Sequence, residues 1–500
     1  MSYFANINKK IFHVLHSKKE KNMISFEKLF DGVKIQEIQN ATIDKFFNHP
    51  KFDSNKVEKD DVFFCFEGKN VDGHKFACDA AKKGAKAIVC QHSLNISAMQ
   101  IIVEDTREAF ALCCKNYFDK ASDKLKIVGV SGTNGKTTTA ILIAHILNHA
   151  GKNAAVIGTS GAFWNGNNIN FNMTTPDPDL LHKFFMQMLE DGVEYVVMEV
   201  SAHAIALKKI AGIIFEVGVM TNITEDHLDY FDTFQKYAKT KVDFMNSPYV
   251  LSRVVNVDDE ILRNNMQENN LAKITYGMDC PADCFVAGLS MSAKGSHFVL
   301  NFMDNVVEIN SPLVGKYNIE NIMAAFCACS MLGVPFEETK DAIASFAGVE
   351  GRFNVYSSTR GFDVVIDYAH TPDGLQNVLK TASGLTSGRL ILVFGCGGGR
   401  ERQKRPQMAR IAEKYCDDVI VTSDNPRFEN PQDIIDEIKT GFEGNNHIEI
   451  VDRFEAIKHA MKIARPHDIV LVCGKGAEDY MEIKGEKIHF KDAEVVKQFL

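Results

Sequence analysis

The sequence predicts an α/β protein of three domains, and three observations lead to this prediction. Short apolar runs alternate with helical stretches along most of the chain, as in parallel sheets that are covered by helices. Polar or glycine-rich segments follow directly after several of these runs. At about 150 residues per domain, a chain of this length holds roughly three domains. We expect the boundaries 1–123, 124–349 and 350–500.

Composition and charge exclude several classes of protein. Of the 500 residues, 45% are hydrophobic and 24% charged, which is ordinary for a globular protein. A net charge of −9 argues against nucleic acid as a partner. The twelve cysteines form no paired CxxC pattern, so we expect reduced thiols in a cytoplasmic protein. No apolar segment follows the basic N-terminus, and Ala140–Leu147 is too short to span a bilayer, so we expect neither a signal peptide nor membrane binding.

The predicted strands fall into three groups. The first group is Val62–Phe66, Ala85–Cys90 and Ile101–Glu104, and the polar run Ala121–Lys126 after it reads as a linker. The second group should form a central parallel sheet, from Ile127–Val130, Ala154–Ile157, Tyr195–Val200, Val217–Thr221 and Arg253–Val257. The third should form a doubly wound domain, from Asp363–Asp367, Leu390–Gly395, Asp418–Thr422, Ile448–Val451 and Asp468–Cys473.

A glycine-rich segment, GTNGKT, follows the strand Ile127–Val130 and opens a helix. Glycines let backbone N–H groups turn toward an anion, lysine brings charge to the terminal phosphates, and the threonine hydroxyl can ligate Mg²⁺. Val130 replaces the first glycine of the full phosphate-loop pattern, and a chance glycine-rich turn is the alternative. The strand and helix around the segment favour an ATP site made of Gly132, Thr133, Asn134, Gly135, Lys136, Thr137 and Thr138.

Two further strand ends carry polar groups that suit a metal. Glu199 ends the run Tyr195–Val200, where a carboxylate can hold Mg²⁺. Asp226 and His227 follow the next strand, and Lys241 lies fourteen residues beyond His227 on a predicted helix. The alternatives are that His227 caps a helix and that Lys241 is an ordinary solvated lysine.

An ordered set of segments resembles the Mur ligases over about residues 50 to 490. Besides GTNGKT, the set comprises EVSAH (Glu199–His203), TNITEDHLDY (Thr221–Tyr230), GKYNIEN (Gly315–Asn321), Gly351-Arg352, DYAHTPD (Asp367–Asp373), FGCGGGR (Phe394–Arg400) and GKGAEDY (Gly474–Tyr480). The resemblance implies an N-terminal domain for a UDP-linked substrate, a central ATP domain with the phosphate loop, and a C-terminal domain for an amino acid.

The resemblance also implies the reaction. ATP would phosphorylate the terminal carboxylate of UDP-N-acetylmuramoyl-L-alanyl-D-glutamate, and the amine of an amino acid would then displace phosphate. The implied cofactors are ATP and Mg²⁺, and the implied partners are small-molecule substrates of a monomeric, cytoplasmic enzyme.

Roles in the ATP and metal sites come from the same resemblance. Thr137 and Glu199 would hold one Mg²⁺, and His227 with a carbamylated Lys241 would hold a second, because only a carbamate gives lysine an oxygen ligand. Asn318 would contact adenine, or else it only shapes a turn. Arg352 and His370 would reach the phosphates, and Asp367 would either orient their loop or cap a helix.

For the UDP-muramoyl-peptide, the resemblance implicates Ser54, Asp72, His74, Thr174, Thr175, Ser201 and Lys209. Two positions depart from the family pattern. Asn55 and Lys209 stand where the family commonly has arginine, and a lysine loses the two-pronged hydrogen bonding of a guanidinium. The alternative for Asp72–Phe76 is a polar turn.

The segment Asp424, Asn425, Pro426 and Arg427 resembles the signature of ligases that add meso-diaminopimelate. This amino acid has a distal carboxylate that lysine lacks, and an arginine fork matches that group. Arg400, Gly474 and Glu478 would complete the site. A surface ion pair is the alternative for Arg427, and the nearby loop departs from the family pattern at Gly399 and Gln403.

Other functions stay open at this point. A lysine-adding relative, another Mur-type ligase or a folylpolyglutamate-type ligase would use the same ATP chemistry. A phosphate-loop phosphotransferase or GTPase would stop at phosphoryl transfer. A regulatory protein that has lost catalysis is disfavoured, because Lys136, Glu199, His227 and Lys241 are all present.

Overall fold

The computed structural model describes residues 23–42, 45–68, 71–171, 173–266, 271–292 and 295–500. The basic N-terminal segment, for which we predict no signal peptide, lies outside the described residues. Contacts divide the chain into two compact units. The first unit holds residues up to Ser131, Gly151–Gly218 and Asp243–Arg253, and the second holds Gly132–Ala150, Val219–Val242 and Val254–Leu500. The three domain boundaries stay a prediction.

The N-terminal part of the first unit has a small α/β fold. Its strands are β1 (Ile24–Ser25), β2 (Ile35–Gln39), β3 (Phe46–Phe47), β4 (Pro50–Lys51), β5 (Val62–Phe64), β6 (Ala87–Cys90) and β7 (Met99–Val103). Its helices are α1 (Phe26–Leu29), α2 (Ala77–Lys82) and α3 (Thr106–Tyr117). Strands β1 and β3 form a separate antiparallel pair. The other five strands form a sheet of order β2-β7-β6-β5-β4, parallel except for β2. Successive residues of β5 pack into different cores, Val62 and Phe64 on one face and Phe63 on the other.

The middle of the chain begins differently from the prediction. Ala121–Lys124 forms a short 3-10 helix in which Ala121 and Ser122 are buried, so this stretch is packed structure and our prediction of a polar linker is wrong. The following elements are β8 (Lys126–Ser131), α4 (Lys136–His149), β9 (Ala154–Gly158), β10 (Gly161–Trp164), β11 (Asn167–Ile169), α5 (Pro178–Glu190), β12 (Tyr195–Glu199), α6 (Ala202–Ala206) and β13 (Val217–Met220). In the first unit, β12 lies between β8 and β9 and is parallel to both.

The chain then supplies α7 (Leu228–Phe231), α8 (Phe234–Met245), β14 (Ser252–Asn256), α9 (Glu260–Asn265), β15 (Ala272–Gly277), β16 (Cys284–Ser292), β17 (Gly295–Phe302), β18 (Asn305–Ser311), α10 (Lys316–Met331) and α11 (Phe336–Ser345). Strands β16 to β18 form an antiparallel meander. In the described part of the chain, none of the helices has the length and apolar character needed to cross a membrane.

The C-terminal part of the second unit is the predicted doubly wound sheet. Its elements are β19 (Asn354–Ser357), β20 (Asp363–Asp367), α12 (Pro372–Leu385), β21 (Leu390–Phe394), α13 (Lys404–Tyr415), β22 (Asp418–Val421), α14 (Pro431–Lys439), β23 (His447–Glu449), α15 (Arg453–Ile463), β24 (Ile469–Cys473), β25 (Tyr480–Ile483), β26 (Glu486–His489) and α16 (Asp492–Gln498). The sheet order is β19-β20-β24-β21-β22-β23, parallel except for β19.

Helices cover both faces of this sheet. Leu375, Met408 and Ile434, from α12, α13 and α14, pack in one core, whereas Ile457 of α15 and Val496 of α16 pack in the other. Because neighbouring residues of a strand point to opposite faces, each buried strand fills both cores at once. The loops at the carboxyl ends of β20, β21, β22 and β24 are therefore supported by a sheet that is packed on both sides, and open α/β sheets bind ligands at these ends.

Candidate active site

The phosphate loop follows β8 and leads into α4, as predicted. Gly132 has φ of 144°, and a Cβ there would collide with Thr221 Oγ1. Gly135 has φ of 84°, and a Cβ there would collide with Asn321 Oδ1. Both positions combine a backbone conformation that side chains rarely adopt with a neighbour that leaves no room for one. The loop requires glycine at both.

Polar contacts within the second unit hold the loop. Lys136 Nζ donates to the carbonyls of Gly132 and Thr133, at 2.9 and 2.8 Å. The Thr133 hydroxyl lies 2.9 Å from Tyr237 Oη, and Asn134 Nδ2 donates to Asp373 Oδ2 at 2.7 Å. Thr137 and Thr138 are both buried at the start of α4. The lysine therefore rests on its own loop.

The second unit has a cavity of about 450 Å³ beside two of the predicted nucleotide residues. Asn318 and Arg352 both line it. Arg352 stacks over the Tyr368 ring at 4.5 Å and donates to Thr137 Oγ1 at 3.4 Å. Asn318 Nδ2 donates to the Val314 carbonyl at 2.8 Å, so its amide has a structural bond in the first turn of α10.

Asp367 connects two of the predicted segments. Its carboxylate accepts N–H bonds from Phe353 at 2.8 Å and from Ala369 at 2.7 Å, and so ties the loop after Arg352 to the loop before His370. Burial raises the pKa of Asp367, although Arg352 opposes the shift. The cap of α12 is the Thr371 side chain, so the helix-cap alternative for Asp367 is wrong.

His370 is held by two contacts of its own loop and of α13. Its Nδ1 lies 3.0 Å from the Tyr368 carbonyl oxygen. Lys404 Nζ donates to the His370 carbonyl at 2.9 Å. Lys404 is a contact that we did not expect from the sequence.

Lys241 is buried on α8, with 1% of its surface exposed, so the solvated alternative is wrong. Its Nζ lies 4.8 Å from the centre of the Tyr237 ring. Burial and the nearby Lys136 lower the pKa of Lys241 well below its usual value, although Asp226 opposes the shift. A buried amine in this environment is held toward its neutral form.

His227 occupies the N-cap position of α7 with φ of 57°, as in our alternative, but its side chain makes no capping bond. Its Nε2 lies 3.4 Å from Asp226 Oδ2. Burial raises the pKa of Asp226, but the charges of His227, His370, Lys404 and Lys136 outweigh this effect and lower the pKa overall. The group is therefore a carboxylate within a positive field.

Glu199 ends β12 in the first unit and pairs with Val130 of β8. Val130 lies two residues before Gly132 in the sequence. Its side chain is buried and accepts a 2.8 Å bond from the Thr159 N–H and a 3.3 Å bond from the Thr159 hydroxyl. The Thr159 hydroxyl also lies 3.1 Å from Thr174 Oγ1. The carboxylate is thus aimed by the residue that follows β9.

Thr175, Ser201 and Lys209 form a second polar group in the first unit. The Thr175 hydroxyl donates to the Glu199 carbonyl at 2.8 Å and lies 3.3 Å from Ser201 Oγ. Lys209 Nζ forms an ion pair of 2.8 Å with Asp177. The structure therefore brings Thr174, Thr175, Ser201 and Lys209 to one region of this unit.

The remaining predicted residues of the first unit lie in two 3-10 turns. Ser54 begins the turn Ser54–Lys56, and its carbonyl accepts a 2.8 Å bond from Lys83. Asp72 caps the turn Gly73–Phe76 and lies 2.7 Å from His74 Nδ1. Because His74 Nε2 accepts the Gln91 N–H at 3.1 Å, the ring proton is on Nδ1.

The predicted amino-acid residues come together at the carboxyl ends of β22 and β24 in the second unit. Asn425 Nδ2 donates to Glu478 Oε2 at 2.8 Å. Lys475 Nζ donates to both Asn425 Oδ1 and Glu478 Oε2, at 3.1 and 3.0 Å. Asp424 lies beside Gly474, where a Cβ would collide with Asp424 Oδ2. A carboxylate, an amide and an ammonium therefore meet here.

Arg427 is half-buried and belongs to the same loop as Asn425. Its Nη1 donates to the Gly398 carbonyl at 2.7 Å, and its Nε donates to Glu482 Oε2 at 3.2 Å. Arg400 is exposed at the end of the glycine-rich loop, and Pro426 packs closely on Gly398. Arg427 thus forms an ion pair, as the alternative had it, but in a cleft between loops.

A buried arginine outside the predicted set contacts both the loop that contains Gly397 and the loop that contains Glu429. Arg405, with 1% of its side chain exposed, contacts Glu429 through Nη1 and Nη2, each at 3.0 Å, and Glu437 at 2.7 Å. Its Nη2 also donates to the Gly397 carbonyl at 3.3 Å, and Glu429 accepts the Gly399 N–H. This network determines the shape of the segment where Gly399 and Gln403 depart from the family pattern.

Sequence reasoning missed Thr159, Lys404, Arg405, Glu429 and Glu482. Thr159 carried one usable signal, since it follows directly after the apolar run of β9. The acidic partners of the two arginines carried none, because they are ordinary surface residues by local pattern.

Comparison with known proteins places the chain among enzymes of one family. The sequence matches the Mur ligase family catalytic domain over residues 50–117, the Mur ligase middle domain over 130–329 and the Mur ligase glutamate ligase domain over 351–476. Two relatives, from Clostridium tetani and Clostridium acetobutylicum, are both 40% identical to the chain. The first alignment covers 93% of this chain and 96% of the relative, and the second covers 90% and 94%.

Both relatives are named UDP-N-acetylmuramoyl-L-alanyl-D-glutamate--2,6-diaminopimelate ligase. A solved structure of a protein with that name superimposes with a TM-score of 0.69 at 32% identity, covering 95% of this chain and 98% of the other. The predicted α/β fold and three-domain architecture are confirmed by this likeness. The ordered segments, the phosphate loop and the family matches agree: the chain belongs to the Mur ligase family.

Proposed function

We propose that this chain is the ATP-dependent ligase that adds meso-2,6-diaminopimelate to UDP-N-acetylmuramoyl-L-alanyl-D-glutamate. The names of its relatives support this reaction. The observation that carries the proposal is the hydrogen-bonded arrangement of Arg427, Asn425 and Glu478, which Glu482 links. It offers a guanidinium to a distal carboxylate and a carboxylate to a distal ammonium, and diaminopimelate has both groups. Arg400, Asp424, Pro426 and Gly474 would complete this site.

The phosphate loop would bind ATP. Lys136 already lies over the loop and would exchange two carbonyl acceptors for phosphate oxygens, while Asn318 and Arg352 line a cavity large enough for the nucleoside. Loop N–H groups at the start of α4 add the positive end of a helix. His370 would approach the phosphates from the neighbouring loop.

The oxygen donors present fit Mg²⁺, which prefers carboxylate and hydroxyl ligands. Glu199 is buried, and the hydrogen bonds from Thr159 hold its carboxylate in one orientation. We propose that Glu199 and Thr137 each supply a ligand, and that His227 with a carbamylated Lys241 supplies others. Mg²⁺, when bound, would offset the charge of the phosphates.

The lowered pKa of Lys241 supports its carbamylation. A neutral amine has the lone pair that attacks CO₂; the N–C bond forms, a C–O double bond becomes a single bond to an anionic oxygen, and the amine loses a proton. The resulting anion would be favoured by the positive charge of the nearby Lys136, which disfavours an ammonium at this position.

The reaction then proceeds in two steps. The terminal carboxylate of the dipeptide attacks the γ-phosphorus of ATP, which releases ADP and forms an acyl phosphate. The neutral amine of diaminopimelate adds to the acyl carbon, and the tetrahedral intermediate expels phosphate and loses a proton to give the amide. Positive charge from Lys136 and Arg352 would stabilise the anions that gather during both steps.

The UDP-muramoyl-peptide would be held by groups of the first unit. We propose Thr174, Thr175, Ser201 and Lys209 for the peptide part, and Ser54, Asp72 and His74 for the UDP part. Lys209 is paired with Asp177, so its charge is partly offset before any ligand arrives. We also propose that the enzyme acts in the cytoplasm, as a monomer.

The test is the dependence of phosphate release on each substrate. We expect release only when ATP, the muramoyl-dipeptide and an amino acid are all present, with meso-diaminopimelate preferred over L-lysine. Preferred use of lysine would contradict the assigned amino acid. Phosphate release without any amino acid would instead indicate a phosphotransferase or an ATPase, and would contradict the ligase reaction itself.

A further inference from the structure

We infer that Glu482 is the positioning residue for Arg427 and thereby contributes to the preference for diaminopimelate over lysine. The inference rests on the proposed function, in which Arg427 meets the distal carboxylate of the amino acid. Glu482 lies in β25, fifty-five residues away in sequence, and matches none of the segments that indicate the ligase reaction.

The hairpin of β25 and β26 first holds the backbone of Arg427. The Arg427 N–H donates to the Glu482 carbonyl at 2.9 Å, and the Lys484 N–H donates to the Arg427 carbonyl at 2.7 Å. Arg427 and Ile483 form an isolated parallel bridge. Arg427 has φ of 52°, a conformation that residues other than glycine seldom adopt without such support. The hairpin therefore determines where the arginine side chain begins.

The carboxylate of Glu482 then determines the orientation of the guanidinium. Arginine has five N–H groups in one plane. The Nε–H faces Glu482, and one Nη1–H faces the Gly398 carbonyl. For the second Nη1–H and the two Nη2–H groups, the described part of the chain supplies no acceptor. These groups form the outer edge of the fork, the edge that binds a carboxylate with two parallel bonds.

Glu482 also connects Arg427 with the other polar residues of the proposed site. Its own N–H donates to Asn425 Oδ1 at 2.9 Å, and Asn425 in turn contacts Glu478 and Lys475. One residue thus shares hydrogen bonds with both proposed recognition groups, the arginine for the distal carboxylate and the amide beside Glu478. Loss of its side chain would free the arginine while leaving these backbone bonds in place.

The experiment compares four variants of the full-length enzyme: E482A, E482Q, R427A and E486A. Rates are measured with meso-diaminopimelate and with L-lysine as the variable amino acid, at saturating ATP and muramoyl-dipeptide. The glutamine side chain of E482Q would still accept the Nε–H bond through its amide oxygen. Glu486 is an exposed glutamate of the same hairpin and serves as the matched control. The KM for ATP, measured for each variant, reports whether the remote site stays intact.

For E482A we expect KM for meso-diaminopimelate to rise about tenfold with little change in kcat, because a charge-assisted bond that orients the fork is lost. The ratio of kcat/KM for diaminopimelate to that for lysine should fall, since lysine has no distal carboxylate. E482Q should restore most of the KM, and E486A should match the unmodified enzyme. KM for ATP should stay unchanged throughout.

Different failures have different meanings. If R427A raises KM for diaminopimelate and E482A does not, the role of Glu482 is overturned and that of Arg427 stands. If R427A leaves this KM unchanged, the assignment of Arg427 fails and the role of Glu482 fails with it. If E482Q is as defective as E482A, or if E482A affects lysine and diaminopimelate equally, orientation of the fork is not the function of this carboxylate.

Discussion

Arg402 and Arg405 contact the same two glutamates but differ in exposure, and this pair allows a quantitative test of the loop network. Arg405 has 1% of its side chain exposed and Arg402 has 65%. Arg402 contacts Glu437 at 3.1 Å and Glu429 at 3.3 Å, distances close to those of Arg405. From contact distance alone, the two arginines should contribute similarly to the free energy of unfolding. Their difference in burial predicts different contributions.

Truncating Arg405 to alanine should destabilise the protein by about 3 kcal/mol, the lower end of the range for breaking a buried ion pair. The lower end applies because Glu429 and Glu437 keep 19% and 34% of their side chains exposed, so water solvates part of the charge left behind. Truncating Arg402 should cost at most about 1 kcal/mol, since exposed ion pairs gain little net free energy. We therefore expect a difference of about 2 kcal/mol between the two variants.

Urea unfolding followed by far-UV circular dichroism measures this difference, with R405M as a further variant that retains most of the aliphatic volume. R405M should remain close to R405A, because the lost charge pairing dominates. Because Arg405 also holds the Gly397 carbonyl, R405A should raise KM for the amino acid as well. Equal destabilisation by R402A and R405A would refute the reasoning from burial, and recovery of stability in R405M would assign the effect to packing.

Three further predictions concern the ATP side of the protein. K241A should lose at least about a hundredfold in kcat, and a short carboxylic acid should partly restore the activity. The unmodified enzyme, once freed of CO₂, should regain activity when bicarbonate is added. An unchanged rate in either assay would exclude the carbamate. Burial raises the pKa of Glu320 to about 7, although Lys316 opposes the shift. The folded protein therefore retains a proton that the unfolded chain releases above 4.5, and stability should fall as pH rises from there through 7. E320Q should be more stable than the unmodified protein by about 1 kcal/mol at pH 8 and equal to it at pH 4, a small value because the carboxyl is partly exposed; thermal unfolding at both pH values measures this. G132A should weaken ATP binding at least about tenfold by calorimetry, because its Cβ would clash with Thr221 Oγ1, and normal affinity would show that the loop can relax.

The strands and the strand-end positions of the functional groups could be predicted from the sequence, because both follow from local patterns. Glu199 was expected at the end of an apolar run, and it ends β12. Lys241 was ambiguous as a single lysine, since only its tertiary surroundings show that it is buried. The ion pair of Arg427 with Glu482 joins residues that are far apart in sequence through one bridge, and no local pattern indicates such a contact.

The short 3-10 helix that begins at Ala121 is another place where the local sequence pattern did not predict the structure. A polar composition suggested a linker there, yet Ala121 and Ser122 are buried against neighbouring elements. The composition of a segment indicates only how polar it is on average. Burial of two small side chains is enough to hold a polar segment in a packed turn. Likewise, Asp367 was compatible with a helix cap by spacing alone, and its role as a clamp between two loops depends on which backbone N–H groups the fold brings near it.

In the C-terminal sheet, strand residues are divided between two cores, while the loop Asp424–Glu429 and β25 lie outside both. A substitution within β22 alters packing on one face or the other, whereas a substitution in Asp424–Glu429 or in β25 alters polar contacts of the loops without changing either apolar core. Successive substitutions in these loops can therefore change the acceptor amino acid while the two packed cores of the sheet stay intact. Because stability depends mainly on the sheet and recognition on the loops, amino-acid specificity can evolve separately from the fold.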